Sequence, residues 1–409
     1  MAAVARRPIN RLLCPARPHG TIQSPVKTAI TARTLYTPLE RIENPVVVCE
    51  DGWIAAVFSR DQQSLPANAE LLDFPDAVLA PGLIDIHIHG GAGHDVMSAD
   101  RSGFAALGAQ LEAHGVTAYY PTTVTASLDE TLRALERLAN EIEAPQGNGA
   151  EPLGIHLEGP FISHAKRGVH PPENLLEPSV TVFERFWQAA RGHVAILTIA
   201  PELPNAEAVV REAASRGICV SLGHSDSELG PAQAAIRAGA RHATHTFNAM
   251  RPLDHRQPGI LGAVLTDDQV SADIIADGVH VHPETLKIFF RAKGPERALL
   301  ITDAISATGM GEGRFRLGGF EVEVRGETCL HQGKLAGSVL TLDRAIQNVM
   351  RFAGWELGPA LRLATMNPAR TVRDSSRGEV VPGAVADLIA LSATGEVIAT
   401  IKNGRLPSR

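Results

Sequence analysis

His87-Ile88-His89 closes the apolar run LIDIHIHG, and this spacing puts both imidazoles on one side of a strand, because strand side chains alternate with period two. Two neutral ring nitrogens placed this way can hold a divalent cation. Taken alone, such a pair is more often two hydrogen-bonded core histidines. Other apolar runs end in the same manner. Glu158 closes LGIHLEG, His224 closes ICVSLGHS, His245 and Asn248 lie in HATHTFNAM, Asp277 and His280 close ADIIADGVH, and Asp303 closes ALLITDA. A carboxylate at the end of a buried strand is costly unless it is paired or bound to a metal. One such residue reads as a structural pair; repetition at run after run reads as a shared polar site. Glu158, His224 and His245 supply two imidazoles and a carboxylate, a set that leaves a position open for water. His87 and His89 are candidates for a second ion, with Glu158 or Asp303 shared. Water on a divalent metal becomes a nucleophile near neutral pH. Asp303 is the candidate to take its proton and hand it to a leaving nitrogen.

The elements that must position these groups alternate. Between about 80 and 369, eight apolar runs (those above with VTAYYPTTVT and VAILTIAPE) are separated by amphipathic pieces such as ETLRALERLANEIE, AEAVVREAASRG and PAQAAIRAG. Eight strands alternating with helices over that length predict an α/β chain folded as a closed (β/α)8 TIM barrel, whose catalytic residues gather at the C-terminal strand ends. An open doubly wound sheet is the rival, but GGAGHD after the first run does not fit the GxGxxG of a dinucleotide loop. The ends of the chain have a different texture. Residues 27–79 and 370–409 are short strand-like runs, with Asp51-Gly52 as a hairpin signal, and predict a small β-sandwich domain built from both ends. Residues 1–26 are basic and Pro-containing without the apolar centre of a signal peptide, and read as a disordered tail or a start codon placed too early.

Composition narrows the function. The 409 residues carry a formal net charge of −7 with no concentrated basic block, which sets a nucleic-acid partner aside. No apolar run reaches the roughly 18 to 20 residues of a membrane span. Cys14, Cys49, Cys219 and Cys329 form neither a CxxC pair nor a disulfide framework, which makes the cytoplasm the expected compartment.

The stretches PGLIDIHIHG, HLEGPFI, KRGVHPP, GHS, THTFNAM, HRQPG, IIADGVH, ITDA and LAGS together resemble the amidohydrolase superfamily and, within it, the N-acetylglucosamine-6-phosphate deacetylases. They occur in family order from about 80 to 338, and GVH, NAM and HRQPG lie outside the general superfamily signature. The resemblance implies hydrolysis of a phosphorylated, N-acetylated amino sugar in amino-sugar catabolism and recycling. It implies Glu158, His224 and His245 as ligands of the main metal and Asp303 as acid/base. It assigns Val169, His170, Asn248, Ala249, Arg256 and His280 to the sugar phosphate, and Leu335, Ala336 and Gly337 to the acetyl side. Zinc is the implied cation, with iron, cobalt or manganese as alternatives, one or two per subunit of a homodimer. Family members differ in whether they keep the HxH pair; His87 and His89 keep the two-metal form open here.

The residues themselves fit that substrate to different degrees. Arg256 lies in a Gly/Pro-rich loop and suits bidentate phosphate capture, although a loop arginine is more often a solvated charge. The Asn248-Ala249 backbone could donate to a phosphate. His280 could polarise the acetamide carbonyl or hold a hydroxyl, or be a buried structural histidine; His170, between prolines and glycine, could be merely exposed. His94 is a weaker candidate for the mouth, and His19, His114, His193, His242 and His331 read as structural or exposed. The competing readings are the same reaction on a galactosamine phosphate, an amidohydrolase acting on a cyclic amide or a nucleobase, and a non-catalytic sugar-phosphate sensor.

Overall fold

The computed structural model describes residues 27–145 and 147–407. The expectation for residues 1–26 therefore lies outside the described residues.

Eight short strands form the barrel: β1 (Leu83–Ile88), β2 (Val116–Pro121), β3 (Ile155–Glu158), β4 (Val194–Ile199), β5 (Cys219–Leu222), β6 (His242–Ala243), β7 (Ala272–Ile275) and β8 (Ala298–Ile301). All eight match the apolar runs picked out above. Their pairing is parallel wherever neighbours form a ladder, as between β1 and β2, along β3-β4-β5-β6, and between β7 and β8. Backbone bonds complete the circle. Thr123 N–H donates to His156 O (3.0 Å), Thr246 N–H to Asp273 O (3.0 Å), and Asp303 N–H to His87 O (3.0 Å), so the last strand closes on the first. The strands are buried along almost their whole length, as expected of parallel strands covered on both faces.

A helix follows each strand: α1 (Arg101–Ala113), α2 (Leu128–Glu143), α3 (Val180–Ala189), α4 (Ala206–Ser215), α5 (Leu229–Ala238), α6 (Gly259–Thr266), α7 (Pro283–Arg297) and α8 (Leu342–Ala353). Local sequence sets their starts. Ser127 and Glu130 form a reciprocal capping box on α2, and Asp100 caps α1 through Gly103 N–H. The apolar faces of these helices and the barrel strands share one large core. Among the described residues no helix is long and apolar enough to cross a membrane.

Both chain ends enter one mixed seven-stranded sheet with its own core. Lys27–Tyr36 pairs parallel with Glu70–Pro81, which pairs antiparallel with Leu388–Leu391 from the other end. The predicted Asp51-Gly52 hairpin joins Pro45–Glu50 to Trp53–Ser59, with both turn residues at positive φ (50° and 84°). Glu70–Pro81 runs straight into β1, so this sheet delivers the first barrel strand.

One element was not foreseen. Between β8 and α8 the chain makes a four-stranded antiparallel sheet from Gly313–Leu317, Phe320–Arg325, Thr328–His331 and Lys334–Leu335. It stands over the barrel mouth and packs Leu317, Val322, Val324 and Cys329 with Val124, Ile305 and Ala336 into a third, separate core.

Candidate active site

The C-terminal ends of the strands converge on a cavity of about 200 Å³. Glu158 stands at its centre, 2% exposed, and divides its two oxygens between two sets of imidazoles. Oε1 lies 3.1 Å from His224 Nε2 and 3.0 Å from His245 Nε2, and these two nitrogens are 3.0 Å apart. Oε2 lies 3.6 Å from His87 Nε2 and 3.3 Å from His89 Nε2, which are 3.2 Å apart. Asp303 Oδ1 completes the second set, 3.3 Å from His87 Nε2 and 3.1 Å from His89 Nε2.

Hydrogen bonding explains why these contacts call for cations. His89 Nδ1 faces Thr122 O at 3.0 Å and His224 Nδ1 faces Lys166 O at 2.9 Å. A carbonyl only accepts, so both rings donate from Nδ1, and in the neutral tautomer Nε2 presents a lone pair. Nδ1 of His87 and of His245 has no hydrogen-bond partner among the described residues, so the fixed lone pairs are those of His89, 3.1 Å from Asp303 and 3.3 Å from Glu158, and of His224, 3.1 Å from Glu158. A lone pair that close to a carboxylate oxygen repels it unless a proton or a cation sits between them. Ligands at about 2.0–2.1 Å around a tetrahedral cation are separated from one another by about 3.3 Å, which matches the observed edges. The residues fit divalent cations at two clusters, His87 with His89 and Asp303, and Glu158 with His224 and its neighbours.

His170 has a different character although its ring is close. Its Nδ1 lies 2.8 Å from Thr125 Oγ1 and accepts from Thr125 N–H at 3.3 Å, which leaves the proton on Nε2, 3.7 Å from Glu158 Oε2. Its Nε2 is placed to donate into the cavity, and it also lies close enough to Glu158 and His224 to stand with them around a cation.

Electrostatics point the same way. Burial disfavours the charge on Glu158, but His87, His224 and His245 outweigh it and hold the carboxyl well below the usual range. Asp303 is likewise held low, against burial, by His87 and His89. For His89 burial opposes protonation, yet Asp303 and Glu158 push the imidazole up to about 9. The carboxylates demand positive charge beside them, and protons compete with a metal for the same places. His170 is pushed down to about 3 by burial and by the neighbouring imidazole of His224. His280 goes up, because Asp277 Oδ2 at 2.6 Å from its Nδ1 outweighs burial.

The backbone at the mouth is bent into sparsely populated conformations. His224, His245 and Asp303 have φ of 46°, 31° and 51°, as does Ala249 at 51°. Each costs on the order of 1–3 kcal/mol for a non-glycine residue. Neighbouring bonds hold them: Asp273 Oδ1 accepts from His245 N–H, and Ser338 N–H donates to Asp303 O at 2.8 Å. Asp85, whose Oδ2 accepts from Thr302 Oγ1 at 2.6 Å, fixes the residue before Asp303.

The cavity takes its lining from His89, Val169, His170, Asn248, Ala249, His280, Leu335, Ala336 and Gly337 together with Glu158, His224, His245 and Asp303; His87 lies immediately beneath. Three expectations need adjustment. Arg256 is exposed on a surface loop, its N–H bonded to Asp254 Oδ1 (2.8 Å), and it does not line this cavity. Asn248 N–H is spent on His245 O at 2.9 Å, so the backbone pair cannot donate as a unit; the orphaned buried donor there is the side-chain Nδ2. His94 packs on Gly103 of α1, away from the lining. Sequence reasoning missed Val124, Gly168 and Leu317. For Leu317 a signal existed: the alternation RFRL-GG-FEVEV reads as a hairpin.

Comparison with known proteins agrees with this geometry. The Amidohydrolase family pattern matches residues 78–406. The N-acetylglucosamine-6-phosphate deacetylase of Bacillus subtilis (strain 168) is 37% identical over 377 residues, covering 91% of this chain and 95% of that protein. Its namesake from Homo sapiens is 40% identical over 399 residues, covering 92% and 96%. A substituted variant of the Mycobacterium smegmatis N-acetyl-D-glucosamine-6-phosphate deacetylase, solved with N-acetyl-D-glucosamine-6-phosphate, superposes with a TM-score of 0.88 at 33% identity, covering 93% of this chain and 99% of that one. The chain belongs to the N-acetylglucosamine-6-phosphate deacetylase family of amidohydrolases.

Proposed function

We propose that the chain hydrolyses the acetamide of N-acetyl-D-glucosamine 6-phosphate to D-glucosamine 6-phosphate and acetate. The observation that carries this reading is Glu158 set between two pairs of facing imidazole nitrogens, with Asp303 beside one pair. Glu158, His224 and His245 would hold the principal cation, and His87, His89 and Asp303 with Glu158 would hold a second. The cation supplies Lewis acidity toward the acetyl carbonyl and toward water. Nitrogen and oxygen donors in this arrangement suit zinc, with iron, cobalt or manganese as alternatives that metal analysis distinguishes.

The chain's own residues do the rest. Asp303 is ionised at working pH and stands at the C-terminal end of β8, where it takes a proton from the attacking water as the water oxygen bonds to the carbonyl carbon. It returns that proton to the amide nitrogen as the carbon–nitrogen bond breaks, so that the amine leaves neutral. His170 Nε2–H and the protonated tendency of His280 offer donors for the carbonyl or a sugar oxygen. Asn248 Nδ2, buried and unpartnered, offers a donor to the phosphate. The proposal includes a homodimer, in which the Arg256 loop of one subunit would serve the cavity of its neighbour. Cys49, Cys219 and Cys329 are free, buried thiols, which supports a reducing compartment such as the cytoplasm.

The test is acetate release from the 6-phosphates of N-acetylglucosamine and N-acetylgalactosamine, with the unphosphorylated sugar as control. Turnover of the glucosamine epimer supports the reading. Preference for the galactosamine epimer would move the assignment to that sugar. Binding without acetate would make the protein a sensor.

A further inference from the structure

The cavity is polar on most sides, with imidazoles, carboxylates and Asn248, but one wall is apolar. Val124 and Leu317 are 2% and 3% exposed, Ala336 is 1% exposed, and Val169 packs against them; all four face the cavity. They come from four separate segments: the loop after β2, the inserted sheet, the strap before α8, and the loop after β3. The substrate proposed above has a single uninterrupted apolar group, the methyl of its acetamide. Its ring presents C–H bonds only between hydroxyls, and its far end is a dianion.

The family resemblance already gives Ala336 to the acetyl side; we infer that Leu317, together with Val124, closes that side and sets the length of acyl chain the enzyme accepts. The inference rests on the deacetylase reading of the site.

A wall excludes a longer chain only if it cannot retreat, and this one is fixed from behind. Gly318 N–H donates to Asp95 Oδ2 at 2.6 Å, and Asp95 is buried. Arg316 O accepts from Ser306 Oγ at 2.5 Å. The backbone on both sides of Leu317 is thus tied to loops of the barrel mouth. Gly318 turns at φ 54°, a conformation that favours glycine, beside Val124. Ala336 is held by Ala336 N–H to Cys329 O at 3.1 Å, and Gly337 sits where a Cβ would come within 2.2 Å of Ile305. The inserted sheet therefore supplies a back wall tethered on both sides of Leu317, and a well-packed wall resists an added methylene.

The experiment measures kcat/KM for the N-formyl, N-acetyl, N-propanoyl and N-butanoyl derivatives of glucosamine 6-phosphate, on the metal-loaded full chain. The wild type should prefer acetyl over propanoyl by at least about tenfold, the discrimination a hydrophobic pocket achieves for one methylene. Leu317→Ala should raise the propanoyl-to-acetyl ratio by about tenfold or more, and Val124→Ala should raise it less. Leu317→Phe should shift preference the other way, toward formyl over acetyl. Because opposite substitutions predict opposite shifts in a ratio, general damage to the fold cannot imitate the result. Ratios unchanged in both Leu317 variants would overturn the inference while leaving the deacetylase reading intact. Absence of acetate release by the wild type would sink that reading itself.

Discussion

Two layers of histidine lie one above the other inside the barrel, and they behave differently. In the lower layer, His156 has both ring nitrogens satisfied: Nδ1 donates to Ile86 O (2.9 Å), and Nε2 lies 2.7 Å from Thr198 Oγ1. The hydroxyls of Thr198, Thr244 and Ser221 continue that chain across the barrel. His242 is equally complete, with Nδ1 2.8 Å from Ser271 Oγ and Nε2 2.8 Å from Asp273 Oδ2. In the upper layer, His87, His89, His224 and His245 aim Nε2 at one another and at Glu158. The rings of His87 and His156 are only 4.7 Å apart between centroids, and both residues are fully buried. Burial therefore does not separate a structural histidine from a ligand. What separates them is whether Nε2 meets a hydroxyl or carboxylate partner of its own, or shares the Glu158 carboxylate with a second imidazole nitrogen.

The comparison breaks first at Glu158. Glu158→Gln removes the charge shared by both sets of imidazoles, and both cations should be lost together: metal per subunit below about a tenth of wild type, with acetate release abolished. Elemental analysis after purification without chelator checks this. Retention of wild-type metal would mean that the imidazoles hold the ions without a bridge. Asp303→Asn comes next. It keeps the size of the side chain and the ligands of the principal cation, but removes the proton carrier. Turnover should fall by about 10²–10⁴-fold, the range for losing general acid–base catalysis, with the principal ion still bound. Full activity would remove Asp303 from its role.

Much of this could be read from the sequence because strand period and strand termini are local. The eight apolar runs, the polar residues that close them and the Asp51-Gly52 turn all follow from patterns a few residues long. What was not legible depends on tertiary closeness. His156 sits one residue before the Leu157-Glu158 end of β3 and looks no different from a ligand in sequence; only Ile86 and Thr198, on neighbouring strands, show it to be satisfied. Arg256 had the right chemistry, but nothing local says whether a loop reaches its own cavity or points outward. Asn248 keeps its side-chain Nδ2 free and spends its backbone N–H on His245 O, beside the left-handed bend at His245, which no local pattern announces.

The layers can be separated by a milder pair of substitutions. His156→Gln should cost about 1–3 kcal/mol of stability, the penalty for disturbing a buried, fully bonded polar group, while both cations remain. His87→Gln, on the neighbouring ring, should lower metal content at the second site instead. Urea unfolding and metal analysis on the same preparations give both readings. Loss of metal in His156→Gln would make the lower layer part of the metal site.

The smallest effect is one of slope. Burial and the neighbouring charge of His87 hold His156 well below the ordinary imidazole value, and burial with His224 holds His170 near 3. Both therefore stay neutral in the folded chain at pH values where the unfolded chain binds a proton. Below about pH 6.5 the unfolded state takes up more protons, and stability must fall with pH by about 1.4 kcal/mol per unit for each such imidazole. His89 works in the other direction. Raised to about 9, it adds stability to the metal-free protein that is complete below about pH 6.5 and lost as pH rises through 9. It contributes no slope on the acid side. Glu158 and Asp303, held low, lose their contribution only as pH falls below about 4. Between about pH 6.5 and 4.5 the depressed imidazoles lower the stability of the metal-free protein, opposed by Asp85, which burial pushes up to about 6 and which adds stability as pH falls through that value. Urea unfolding across that window should show His156→Gln with a slope shallower than wild type by about 1.4 kcal/mol per pH unit. Parallel slopes would mean that His156 takes a proton inside the fold, and that the lower layer is not sealed by its hydroxyl partners.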